Sequence, residues 1–167
     1  ARTFQKRSSR RSPERVWSVL TDFAAYPAWN PYQTFEGRAE PFAIVQISSR
    51  DLTGRALQVF SAAIWKLEPG KKLELLVGKL FWLASRRIFH LEAVGDGTRL
   101  RHGLVISGIV SAWKSPSAQE MENLRPLYAA FGAALKRRAE EPARASATEK
   151  SRPPTRPGNR RTRRASR

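Results

Sequence analysis

At 167 residues the chain is long enough for one domain with its own core, and 41% hydrophobic content, with five Trp and eight Phe, excludes a wholly disordered chain. Zero Cys excludes disulfides, thiolate metal sites and Cys nucleophiles, and fits a cytoplasmic protein. The net charge of +17 points to a polyanion partner until it is divided: residues 1–15 carry +5, residues 142–167 carry +8, and the body between them only +4.

Residues 3–9 are a candidate first strand, although Gln5-Lys6-Arg7-Ser8-Ser9 is poor strand composition. A helix follows. Ser12 can accept from orphan amides of its first turn, and Pro13 sits where a missing N–H loses nothing. Val16, Leu20 and Phe23 recur at helical spacing as an apolar stripe, widened by Trp17 and Val19. Pro27 and Pro31 stop continuation, which puts Tyr26, Trp29 and Tyr32 on a short rigid connector.

Strands are expected at 33–38, 43–49, 56–67, 72–78, 85–94 and 98–108. Glu68-Pro69-Gly70-Lys71 is a turn, and Gly95-Asp96-Gly97-Thr98 is a strong hairpin signal. The last helix begins near Ser117, where Ser117 and Glu120 have capping-box spacing, and Leu124, Leu127, Tyr128, Phe131 and Leu135 carry its apolar face to about Glu140. Pro126 should kink or divide it. An antiparallel sheet packed on one amphipathic helix is an α+β layout.

Residues 1–141 make the expected domain. Residues 142–167 hold no aliphatic residue larger than Ala and no aromatic, so a disordered basic tail is expected. Its Arg160-Arg161-Thr162-Arg163-Arg164 run allows weak contact with nucleic acid or an anionic membrane, although a solvated tail without a partner is preferred. No run of about 18 apolar residues occurs, so no transmembrane helix is expected, and no signal-peptide core opens the chain. The first residue is not Met, which leaves room for residues upstream; monomer and dimer both stay open.

The segment from Pro13 to Pro31 resembles the "P-x-x-V-W-x-V-L-x-D-F-x-x-Y-P-x-W-N-P" run of the START-like, or SRPBCC, superfamily, the polyketide cyclase/dehydratase and lipid-transport group. Residues 86–103 are similar to that group's "H-x-F-x-L-E-x-x-G-D-G-T-R-L-x-H" hairpin, and residues 133–140 to its closing helix. The resemblance implies a helix-grip fold: a curved seven-stranded antiparallel sheet around a long C-terminal helix, with short helices after the first strand and a ligand cavity between sheet and helix. It implies binding of a lipid, aromatic or polyketide-like molecule, with a cyclase- or dehydratase-like reaction as the rival.

Alternation puts Leu100, His102, Leu104 and Ile106 on one face of the last strand, facing the cavity. His102 is the one catalytic candidate, as a proton carrier or polar anchor; a core histidine satisfied by a backbone carbonyl or by Tyr is the preferred reading. Arg87, where the group often has His, either pairs with a ligand carboxylate or curls outward at the strand end, the latter preferred. Leu104 stands where the group often has Glu, which removes a His/Glu proton pair and argues against catalysis. Tyr26, Trp29, Trp65, Arg87, Phe89, His102, Leu104, Tyr128 and Phe131 are the expected cavity residues, with about half of the aromatics expected simply to fill the core. Trp82 and Trp113 are candidates for a mouth or lid. His90 and His102 point to opposite faces by strand parity and cannot pair, and no carboxylate cluster has metal-ligand spacing, so neither metal nor cofactor is expected.

Overall fold

The structure, a computed structural model, describes residues 2–79, 82–110 and 117–142. Ser12 caps helix α1 (Pro13–Thr21) by accepting from the Arg15 N–H, and Val16, Val19 and Leu20 are buried along its inner stripe. A 3₁₀ turn (Phe23–Ala25) leads into α2 (Tyr26–Trp29). The expected rigid connector is therefore a single helical turn, which admits Pro27 because that ring lies where no intrahelical N–H is needed.

Seven strands form one antiparallel sheet: β1 (Arg2–Ser9), β2 (Gln33–Glu36), β3 (Ile44–Arg50), β4 (Ala56–Glu68), β5 (Lys72–Lys79), β6 (Leu83–Val94) and β7 (Gly97–Ser107). Their spatial order is β1-β7-β6-β5-β4-β3-β2, so β1 and β2 are the edges. β1 forms despite its composition because pairing with β7 from Arg2↔Val105 to Ser9↔Thr98 satisfies its backbone. The two strands approach closely at Gly103, where an added Cβ would lie 1.9 Å from the Thr3 carbonyl oxygen. The β6–β7 hairpin turns at Gly95, whose φ of 56° suits glycine.

The closing helix is divided, as Pro126 requires. α3 (Ala118–Asn123) starts with the full Ser117–Glu120 capping box, and α4 (Arg125–Glu140) resumes after Leu124 with Pro126 in its first turn. α4 crosses the concave side of the curved sheet. Phe131 and Leu135 from α4, Leu20 from α1, and Ile64, Leu73, Leu75, Phe89 and Leu100 from the sheet share one buried cluster. The layout is the helix-grip α+β fold. No helix among the described residues is long and apolar enough to cross a membrane.

Candidate ligand site

A cavity of about 150 Å³ lies between the sheet and the α3–α4 junction. Ile47, Leu75, Val77 and Leu104 supply apolar wall from β3, β5 and β7, and Leu124, Leu127 and Tyr128 close it from the helical side. Gln33, Ser49, Gln58, Ser85 and Arg87 are its polar groups. The exposed Leu57 and Gln58 mark its rim.

Arg87 carries the charge of this site. Its side chain turns inward and only 7% of the residue is exposed, so the preferred outward curl is corrected. The inward parity of β6, on which Phe89 and Leu91 are also buried, holds it there. Nη1 donates to Gln33 Oε1, while Nε and Nη2 are buried without a hydrogen-bond partner. No carboxylate among the described residues forms an ion pair with it. Three rings partly compensate: the guanidinium carbon lies 4.9 Å from the Phe89 centroid, 4.9 Å from Phe131 and 5.3 Å from Tyr128. Burial lowers the Arg87 pKa from its ordinary value, against an upward pull from Tyr128 and Tyr26. An arginine nevertheless keeps its proton in a protein, so the lining includes a residue that carries a buried cation.

Gln33 is placed by the aromatic turn. Asn30 Oδ1 accepts from the N–H groups of Tyr32 (3.0 Å) and Gln33 (3.3 Å), which fixes where β2 begins. Tyr26, on the same turn, donates its hydroxyl to the Leu20 carbonyl at 2.8 Å, and burial pushes its pKa far up.

Of the anticipated residues, the structure places Arg87, Leu104 and Tyr128 on the lining of this cavity and the others off it. Tyr26, Phe89, His102 and Phe131 are consumed by the core, where their rings pack on one another and leave no face toward the cavity. Trp29 is half-buried against Tyr26 and Phe131, also off the lining. Trp65 is corrected most plainly: it sits at the register shift between Ile64 and Lys66, Ile64 takes the inward position, and Trp65 is 41% exposed. Trp82 is 64% exposed beside the β5–β6 turn, and Trp113 lies outside the described residues, as do residues 143–167 of the basic tail.

His102 is fully buried, stacked on Phe89 at 5.9 Å with an interplanar angle of 3°. Neither ring nitrogen makes a hydrogen bond of normal geometry, and of the expected partners the Tyr128 main chain supplies a weaker interaction. Burial and then the positive charge of Arg87 push its pKa down to about 3, against a smaller upward pull from the Tyr128 main chain. His102 is not among the lining residues; its ring packs edge-on against Tyr128, 5.6 Å away, which does line the cavity. His90 is exposed on the opposite face, and no group of three His, Asp or Glu among the described residues is placed to hold a metal.

Gln33 is the residue that sequence reasoning missed. A polar side chain at the parity of the buried Phe35 on β2 was the available signal.

No family model and no curated protein sequence matches this chain. Solved structures do. A START superfamily protein from Mycobacterium smegmatis is 18% identical with a TM-score of 0.65, the match covering 83% of this chain and 97% of that one. Ara h 8.0201 is 11% identical with a TM-score of 0.60, over 83% and 97%. The di-domain ARO/CYC StfQ from the steffimycin biosynthetic pathway is 13% identical with a TM-score of 0.59, over 83% of this chain and 49% of that longer one. With its strand order, its divided closing helix and these likenesses together, the chain has the START/SRPBCC-like helix-grip fold.

Proposed function

We propose that this protein binds and sequesters a small hydrophobic molecule in the cavity under the α3–α4 junction. The observation that carries the reading is the hollow itself: about 150 Å³, walled by Ile47, Leu75, Val77, Leu104, Leu124 and Leu127. Apolar surface moved there from water gains ~25 cal/mol per Å². The volume is below the range of about 300–1,000 Å³ typical of drug-sized ligands and close to what one benzene ring occupies in an apolar protein cavity, about 150 Å³. A compact guest suits it better than a sterol or a long acyl chain. Two of the compared proteins are named as a START superfamily protein and as a di-domain ARO/CYC, which is in keeping with a ligand-holding fold.

Native mass spectrometry of the full chain purified from its own host tests the reading. A mass increment of a small apolar molecule, lost on mild activation, is expected. A chain that carries no adduct and gains no thermal stability from a panel of ring-sized apolar compounds would remove it.

A further inference from the structure

Resting on the cavity reading, we infer that the guest is a monocarboxylic acid with a ring-sized apolar body, its carboxylate gripped by the Nε–Nη2 edge of Arg87. Three observations converge on this. Nε and Nη2 are the two Arg87 donors without a partner, both buried, on a residue that lines the cavity. They form one edge of the guanidinium, with parallel N–H groups that match the two oxygens of a carboxylate. The remaining nitrogen, Nη1, is taken by Gln33, which fixes the in-plane rotation of the fork and leaves that edge as the unpaired one; both of its atoms are inaccessible in this structure, so the grip needs a small shift of the rings packed about the guanidinium.

The charge count selects a monoanion. Among the described residues of the lining Arg87 is the one ionised group; Gln33, Ser49, Gln58, Ser85 and Tyr128 are neutral. A carboxylate brings the buried charge to zero. A dianionic phosphate would leave one negative charge buried with no second cation among the described lining residues, which is unfavourable in a low-dielectric site. The rings of Phe89, Phe131 and Tyr128 lie around the guanidinium and soften its burial without offering an acceptor to either free N–H. The volume sets the body size at about one six-membered ring.

Isothermal titration calorimetry on the full chain at neutral pH, with benzoate, benzyl alcohol and phenyl phosphate as probes, tests the inference. Benzoate is expected to bind at least ~10-fold tighter than benzyl alcohol, the scale of a charge-assisted hydrogen-bond pair over a neutral one. It is also expected to bind tighter than phenyl phosphate. Arg87→Met should lose the benzoate preference and keep benzyl alcohol. Arg87→Lys, which retains the charge without the fork, should weaken benzoate by at least ~10-fold. Equal binding of acid and alcohol by the unaltered chain overturns the carboxylate and leaves the cavity reading standing. Phenyl phosphate binding as tightly as benzoate overturns the monoanion. No binding of any probe takes the cavity reading down as well. The comparison on the unaltered chain decides the matter even where an Arg87 variant fails to fold.

Discussion

Arg87 on β6 donates to Gln33 on β2 although three strands separate them in the sheet. In a flat sheet strands four places apart would stand about 19 Å from each other, beyond the joint reach of the two side chains. The contact exists because the sheet curls around α4, and it spans the hollow that the curl encloses. Curvature, cation and cavity are thus one feature of the molecule.

Gln33→Leu removes the only hydrogen-bond acceptor that Arg87 has among the described residues and leaves a third buried nitrogen unsatisfied. A loss of about 1–3 kcal/mol in stability is expected, the penalty for orphaning a buried polar partner. Denaturant unfolding of both proteins measures it; an unchanged midpoint would mean that the three rings alone support the cation.

His102 gives the fold an acid sensitivity. Its pKa is about 3 in the folded chain and about 6.5 when unfolded, so the unfolded state binds the extra proton between those values. Stability contributed by the neutral ring is complete above about pH 6.5 and declines as pH falls toward 3. Between pH 7 and pH 5 the decline is about 2 kcal/mol. His102→Leu, similar in volume, should flatten that portion of the profile. Unfolding free energies at several pH values check it, and equal slopes for the two proteins would place the sensitivity elsewhere.

Gly103→Ala puts a methyl group 1.9 Å from the Thr3 carbonyl oxygen and 2.9 Å from the Phe4 Cα. Backbone, not a flexible tip, stands in the way, so β1 must move from β7. A destabilisation of about 1–3 kcal/mol is expected, with faster amide exchange concentrated in Arg2–Ser9. Hydrogen exchange that stays uniform would show that the edge strand adapts.

Leu104→Trp fills the hollow from β7. Ligand adducts seen by native mass spectrometry should disappear while the far-ultraviolet dichroism is kept. Retention of the adduct at the original level would move the guest away from this cavity.

Much of the fold was legible in the sequence because its signals are local. Ser12, Pro13, Gly95, Ser117 and Pro126 each act within a turn of their own position, and each does so here. The site was legible only where strand parity sufficed, as at Leu104. Gln33 was not, since its meaning comes from a partner 54 residues away that only the curl of the sheet brings near. Aromatic character misleads at Trp65, whose outward place follows from its alternation with the buried Ala62 and Ile64. Tyr26, Phe89 and Phe131 read as cavity wall in the sequence because a ring that lines a hollow and a ring that fills a core have the same composition. Their mutual packing, with centroids 5.6 Å apart for Phe89 and Phe131, separates the two cases.

Asn30 stands outside the hollow, yet its carboxamide oxygen suspends the Gln33 main chain. The aim of the cation is therefore set by a tether at a distance. A substitution that alters this tether re-points the guanidinium without exchanging any wall residue, so selectivity for a guest and the shape of its container can be altered separately.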